Sequence, residues 1–195
     1  YLTRENQRAP VAQIQNHNQT TKAIKKNDEI IIHPFSAKSE KQSPCSLYKR
    51  LIKRLPPETK VIITGTADDL KKNSEYNELL ELHNVEFDSS KFVDIQNRLV
   101  SVKLVVSVDT AMAHLSIALG TPTLCLASAA YVGEIIPYAV ETTPKNAYFY
   151  FIPMSCQSCL GNCSLPLEKG MFSCVAKLDP DKVILMALKI LKSVS

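Results

Sequence analysis

The segment at residues 104–119 reads LVVSVDTAMAHLSIAL. Its first five residues are apolar apart from one serine, which predicts a strand buried on both faces of a sheet. A helix is predicted at 110–119, because Gly120 and Pro122 follow it as a common helix-ending pair. A buried strand that leads directly into a helix is the repeating unit of a parallel α/β sheet.

The same unit recurs along most of the chain. Further short apolar strands are predicted at 29–33, 61–64, 85–87 and 123–126. Helices are predicted between them at 46–55, 68–82 and 90–100. Strands that alternate with helices predict a Rossmann-like, doubly wound parallel sheet of the α/β class. The alternation stops after Ala127, where an aromatic run at 148–152 and a group of cysteines precede a last helix at 179–191.

The chain has 195 residues, a length that suits about one domain. Residues 1–27 are rich in Asn, Gln, Thr and charged side chains, and we interpret them as a linker with one short helix at 20–26. The globular domain is predicted at 28–195. No apolar run approaches the ~18 residues of a membrane span, so no membrane-spanning segment is expected.

Composition excludes two further classes. Only five glycines occur, and neither a Gly-x-Gly-x-x-Gly fingerprint nor a Walker loop is present. The net charge of +4 is smaller than a nucleic-acid module usually carries, so no nucleic-acid partner is expected. Any phosphate group must therefore be bound without a glycine-rich loop.

The helix predicted to start at Thr110 offers such an alternative. Free backbone amides and the helix dipole at Thr110 and Ala111 would attract an anion. Asp109 precedes this turn, and His114 lies four residues after Thr110 on the same side of the helix. The simpler interpretation stays open, in which Asp109 or Thr110 only caps the helix and His114 is a half-buried structural histidine.

Two other predicted strand ends carry polar residues, and in open parallel sheets ligands bind beyond the carboxyl ends of the strands. The first loop offers the hydroxyls of Ser36 and Ser39 and the charges of Lys38 and Lys41, which suit phosphate, although it would equally serve as a solvated basic loop. The second contains Thr64, Gly65 and Asp69. Gly65 would let a ligand approach the backbone, and Asp69 would accept from a ribose hydroxyl or simply cap the next helix.

Four cysteines lie close together in a predicted segment at 156–174: Cys156, Cys159, Cys163 and Cys174. In a cytosolic protein, this density favours a structural Cys₄ site for zinc or iron. Disulfides and free thiols remain alternatives, because the spacing is irregular for a zinc ribbon.

Taken together, these loops resemble the C-terminal half of glycosyltransferase family 9, the bacterial heptosyltransferases of lipopolysaccharide assembly. The resemblance runs from about Glu29 to the C-terminus. Its most specific elements are Asp-Thr-Ala-Met-Ala-His at 109–114 and Gly-Thr-Pro at 120–122; weaker ones are the loop at 34–44 and Thr64-Gly65. The cysteine-rich stretch before the last helix also resembles the family. The chain departs from the family pattern at Phe35, Ser43 and Ala111, where the family has Gly, Trp and Gly.

The resemblance implies one half of a two-domain GT-B enzyme that binds a nucleotide-sugar, ADP-heptose first of all, for inverting transfer to a lipopolysaccharide core or another surface glycan. Lys41, Thr110 and Ala111 would hold the pyrophosphate, and Asp69, or else Asp68, would hold the ribose. No cofactor would be required for catalysis. The catalytic base would lie in an N-terminal acceptor domain of which 1–27 is the remnant, and the location would be the cytoplasm, at most at the inner face of the membrane.

A different class of function also fits the sequence. The chain could be a non-catalytic Rossmann-like binding or assembly module, stabilised by a Cys₄ metal site. The three departures from the family pattern favour this alternative.

Overall fold

The structure, a computed structural model, describes residues 26–194 and contains one parallel sheet of six strands. The strands are β1 Asn27–His33, β2 Lys60–Thr64, β3 Val85–Asp88, β4 Val102–Val108, β5 Thr123–Leu126 and β6 Ala147–Tyr150. They lie in the order β3-β2-β1-β4-β5-β6, and every neighbouring pair is parallel. This order reverses between β1 and β4, which is the topological switch point of a Rossmann-like fold.

In the described range, seven α-helices connect or cover the strands. They are α1 Cys45–Ile52, α2 Ala67–Lys72, α3 Asn77–Leu80, α4 Gln96–Ser101, α5 Ala111–Ala118, α6 Ser173–Ala176 and α7 Pro180–Ser193. Short 3₁₀ turns lie at Ser39–Lys41, Ser74–Tyr76 and Ala129–Tyr131. No helix in the range 26–194 is long and apolar enough to cross a membrane.

Apolar side chains project from both faces of the sheet, as the continuous apolar strands predict. Ile30 and Ile32 belong to a large core shared with α1 and α7. Ile31, between them, belongs to a second core that includes residues of α4 and α5. Because successive side chains of a strand point to opposite faces, β1 contributes to both layers. The predicted doubly wound α/β fold is therefore confirmed.

The predicted helix at 68–82 is wrong as a single element. It is divided into α2, the turn at Ser74–Tyr76 and α3. Asn73 ends α2 with φ −124° and ψ 62°, and its side-chain amide donates to the Asp69 carbonyl at 2.7 Å. An asparagine that bonds a nearby carbonyl competes with the helical backbone, and here it interrupts the helix.

The helix predicted to start at Ser90 begins six residues later, at Gln96. The amide of Ser90 instead donates to Asp88 Oδ1 at 2.8 Å, which holds 88–90 in a tight loop. β6 overlaps the aromatic run, for which the sequence predicts no strand, and it pairs with β5. Most of the predicted helix at 20–26 lies outside the described residues, and β1 begins at Asn27, the last residue of the predicted linker.

Candidate functional site

A cavity of about 750 Å³ lies at the carboxyl end of the sheet, beside the switch point between β1 and β4. The loops after β1, β2, β3 and β4 all contribute to its wall. Eight of the predicted donor-binding residues line it: Ser36, Lys41, Thr64, Gly65, Asp69, Asp109, Thr110 and Ala111. Four separate loops therefore meet at one site, as the position of parallel strand ends predicts.

Lys41 and Asp109 form a largely buried ion pair in the wall of this cavity. Lys41 Nζ lies 2.9 Å from Asp109 Oδ2, and the two side chains are 13% and 4% exposed. His114 Nε2 lies 3.4 Å from the other carboxylate oxygen. Burial raises the pKa of Asp109, but hydrogen bonds and charge from His114 and Lys41 outweigh it, so the pKa is lowered overall. Asp109 is therefore a fixed counter-ion for Lys41.

His114 itself does not line the cavity. Its ring contacts Asp109 on one side, and Nδ1 lies 2.5 Å from the hydroxyl of Tyr138 on the other. These two contacts hold the His114 ring in place. The ring reaches the site through its contact with Asp109. This matches the simpler interpretation of the residue.

The N-terminus of α5 opens onto the cavity. Its N-cap residue, Thr110, has extended backbone angles and makes no capping hydrogen bond with its side chain. The hydroxyl instead lies 3.4 Å from the Val108 carbonyl oxygen. Ala111 and Met112 both line the cavity, and amides of a first helical turn have no acceptor within the helix. An anion there would meet free N–H groups and the positive end of the helix dipole.

The loop after β1 is held by its own backbone contacts. The hydroxyl of Ser36 accepts from the amide of Lys38 at 3.3 Å, and its carbonyl accepts from the Gln42 side chain at 3.0 Å. These bonds shape the loop that brings Lys41 to the cavity.

Gly65 and Asp69 have structural roles that the sequence only partly predicts. A Cβ on Gly65 would lie 2.5 Å from the ring of Phe35, so this ring, which is 2% exposed, already fills the space expected for a ligand. Asp69 Oδ2 accepts from the amide and hydroxyl of Thr66, at 2.8 and 2.7 Å, in a capping box. The capping interpretation of Asp69 is therefore confirmed. The same side chain also lines the cavity.

Phe35 and Ser43, two of the departures from the family pattern, turn inwards. The ring of Phe35 packs on Tyr76, with centroids 4.9 Å apart. Ser43 is buried, and its carbonyl accepts from the Tyr76 hydroxyl at 2.9 Å. One buried tyrosine thus contacts both positions, which keeps the bulk of the phenylalanine in the core.

His33, the last residue of β1, also lines the cavity and was not among the predicted site residues. Its Nδ1 lies 3.0 Å from both the carbonyl oxygen and the hydroxyl of Thr64. Burial lowers its pKa to about 4, against smaller opposing effects of the Thr64 hydrogen bond and the Asp69 charge. His33 is therefore neutral at pH 7. Its place at a strand end was the signal in the sequence that could have identified it.

The sequence also missed the cavity residues Tyr131, Lys91 and Phe92. Lys91 and Phe92 follow β3 and were hidden by the helix predicted at 90–100. Tyr131 lies on the turn after β5, in a region where the alternation of strands and helices stops. Lys38, which the sequence offers with Lys41 as a positive charge suited to phosphate, also lines the cavity.

The predicted Cys₄ metal site is not assembled. Within residues 26–194, no group of three or more His, Cys, Asp or Glu side chains is arranged to hold a metal ion. All six cysteines are free thiols. Cys174 is buried in the core at α6, whereas Cys156, Cys159 and Cys163 lie in a partly exposed loop. The thiols as placed do not fit a tetrahedral metal ion, because no three of these side chains converge in the described residues.

A sequence-family comparison identifies the relationship. The model of glycosyltransferase family 9 (heptosyltransferase) matches residues 2–150. This chain belongs to glycosyltransferase family 9. The match begins well before Glu29, where the resemblance was expected to start, and it ends before the cysteine-rich segment. No curated protein sequence matches the chain.

Solved structures show the same fold. The E. coli ADP-heptose LPS heptosyltransferase II has a TM-score of 0.64 at 17% identity, covering 88% of this chain and 48% of that enzyme. The E. coli heptosyltransferase WaaC with ADP-2-deoxy-2-fluoro heptose has a TM-score of 0.57 at 19% identity, covering 88% and 45%. A family 9 glycosyl transferase from Veillonella parvula DSM 2008 has a TM-score of 0.61 at 17% identity, covering 91% and 49%. The chain spans about half the length of these proteins, as expected for one half of a GT-B fold.

Proposed function

We propose that this chain is the donor-binding half of an inverting glycosyltransferase that uses a nucleotide-sugar, with ADP-heptose as the first candidate. The observation that carries the proposal is the cavity at the switch point, where Lys41 and the free N-terminus of α5 face the same space. In support, one structurally similar protein was solved with ADP and with an ADP-heptose analogue.

The chemistry follows from these two positive groups. In glycosyl transfer, negative charge grows on the departing nucleoside diphosphate as its bond to the sugar breaks. An ammonium and oriented amides that are already in place stabilise that charge without reorganisation. Lys41 and the amides at Ala111 and Met112 would supply this positive field with no cofactor. The acceptor would be a lipopolysaccharide core or another surface glycan, and the catalytic base would come from an N-terminal acceptor domain.

A non-catalytic binding or assembly module is the second candidate. The observation that favours it is that polar groups of the cavity are paired with one another, Lys41 with Asp109 and Asp69 with Thr66. These two pairs need no ligand to satisfy their polar groups.

Nucleotide binding separates the two candidates. We expect ADP to raise the melting temperature of the protein more than GDP or UDP does, and Lys41→Met to abolish the ADP shift. A larger shift with UDP would assign a different donor to the same fold. No shift with any of the three at millimolar concentration would favour the binding module.

A further inference from the structure

Tyr131 contacts two lysines at the edge of the cavity. Its hydroxyl accepts from Lys38 Nζ at 3.2 Å, and its ring centroid lies 4.5 Å from Lys41 Nζ. Lys38 Nζ is also 5.9 Å from the same centroid. All three side chains line the cavity. One aromatic residue therefore gathers two ammonium groups beside the N-terminus of α5.

The two lysines differ in how their charge is balanced. Lys41 is paired with Asp109 at 2.9 Å. Lys38 has no ion-pair partner in the part of the chain that the structure describes. The carboxylate of Asp109 balances only one of the two ammonium groups, so the charge of Lys38 suits an anionic ligand in the cavity.

The turn that carries Tyr131 is fixed from outside by the cysteine-rich segment. The amide of Ser158 donates to the Ala129 carbonyl at 3.0 Å, and the amide of Leu160 donates to the Ala130 carbonyl at 2.8 Å. The Ser158 hydroxyl donates to the Val132 carbonyl at 2.6 Å. These three bonds bracket the tyrosine and restrict the backbone on which it is mounted.

Gly161 of the same segment has no side chain, and this leaves room for the contact between Lys38 and Tyr131. With φ +86°, it adopts a conformation that favours glycine. A Cβ at this position would lie 3.0 Å from Lys38 Nζ and 3.2 Å from the Tyr131 hydroxyl. The segment that follows the family match thus shapes the entrance of the cavity.

We infer that Tyr131 is a positioning residue that holds Lys38 beside Lys41, and that Lys38 is a second cationic binding residue for the diphosphate of the donor. The inference rests on the proposed function and extends its phosphate site. Lys38 would recognise the charge that distinguishes a diphosphate from a monophosphate. Tyr131 would act through its hydroxyl on Lys38 and through its ring on Lys41, since a cation over an aromatic face is attracted by the ring quadrupole.

The test measures binding of ADP, AMP and inorganic pyrophosphate to the protein by calorimetry. Lys38→Met should weaken ADP and pyrophosphate about tenfold, the value of one charge-assisted hydrogen bond, and should weaken AMP less. Tyr131→Phe keeps the ring and removes the hydroxyl, so it should weaken ADP and pyrophosphate too, by no more than Lys38→Met does. The double variant should be no weaker than Lys38→Met alone, because both changes remove the same contact. Tyr131→Leu removes both contacts and should be weaker still.

Lys145→Met is the matched control, because Lys145 is exposed and does not line the cavity. It should bind all three ligands as the unaltered protein does. If the protein binds ADP and Lys41→Met weakens that binding, while Lys38→Met and Tyr131→Phe bind normally, the inference is wrong and the proposed function stands. If the unaltered protein binds neither ADP nor pyrophosphate, the proposed function fails and the inference with it. Lys38 is exposed, so its variant should fold even if Tyr131→Leu does not.

Discussion

Replacing Lys41 by methionine should affect folding stability and donor binding through two different causes. Methionine keeps an unbranched, apolar side chain but removes the ammonium that neutralises Asp109. The carboxylate is 4% exposed and would keep only its 3.4 Å contact with His114. Breaking a buried ion pair from one side costs about 3–5 kcal/mol. Because Lys41 is 13% exposed and His114 remains, we expect a loss of about 3 kcal/mol in the free energy of unfolding.

The double variant Lys41→Met/Asp109→Asn separates these causes. It removes the buried charge together with its partner, so most of the lost stability should return, leaving a deficit of about 1 kcal/mol. Donor binding should not return. Losing a charge-assisted hydrogen bond to the diphosphate costs ~1.5–3 kcal/mol, so ADP should bind about 10–100-fold more weakly in both variants.

Urea denaturation and ADP calorimetry on the same preparations provide both readings. The pKa of Asp109 is lowered in the fold, so its contribution is present above its unfolded pKa and is lost as the pH falls through the folded value. Without Lys41 the folded pKa should rise, and that loss should begin at higher pH. Equal destabilisation of the single and double variants would refute the assignment of Asp109 as a buried counter-ion. Unchanged ADP affinity in both would refute the role of Lys41.

Three further predictions concern neighbouring groups. Gly65→Ala would place a Cβ 2.5 Å from the ring of Phe35, so urea denaturation should show a loss of ~1–3 kcal/mol that Phe35→Leu partly reverses; two additive losses would contradict this contact. The pKa of His33 is about 4, so an NMR titration should show a neutral ring down to that pH. The free energy of unfolding should fall as the pH drops from about 6.5 towards 4. An NMR titration midpoint of the ring near pH 6.5 would contradict its burial. A thiol reagent should label the partly exposed Cys156 quickly and the buried Cys125 only on unfolding. Zinc or iron bound to the purified protein would instead show that the cysteine cluster rearranges around a metal.

The sequence predicted the architecture because the apolar strands are short, continuous and separated by clear stop signals. Runs such as 61–64 need no long-range information to be identified as buried strands. The broken helix at 68–82 was missed because Asn73 interrupts the helix with a side-chain bond to its own backbone. The sixth strand was missed because its sequence, Ala-Tyr-Phe-Tyr, is not an apolar β-branched run. Such residues suit its place at the edge of the sheet, where they are half buried.

The sequence predicted those residues of the candidate site that directly follow a strand. Lys41, Asp109 and Thr110 follow strands that the sequence identifies, and parallel strand ends must converge. The ion pair between Lys41 and Asp109 could not be predicted, because it joins residues 68 positions apart. Gly65 shows the same limit: the sequence indicates a close approach, but only the packing shows that the approaching group is a phenylalanine ring.

The cysteine cluster shows how composition can mislead. Four thiols in a short segment favour a metal site, yet burial places Cys174 in the core while the other three remain in a loop. The visible contribution of this segment is different. Ser158 and Leu160 bond the turn that carries Tyr131, which connects the segment to the cavity wall through backbone hydrogen bonds that no spacing rule would indicate.

We propose that a nucleoside diphosphate binds between Lys41 and the N-terminus of α5. A crystal structure of the protein with ADP would show whether it does. We expect diphosphate oxygens within hydrogen-bond distance of Lys41 Nζ and of the Ala111 amide. ADP bound elsewhere, or a diphosphate that contacts neither group, would contradict the account.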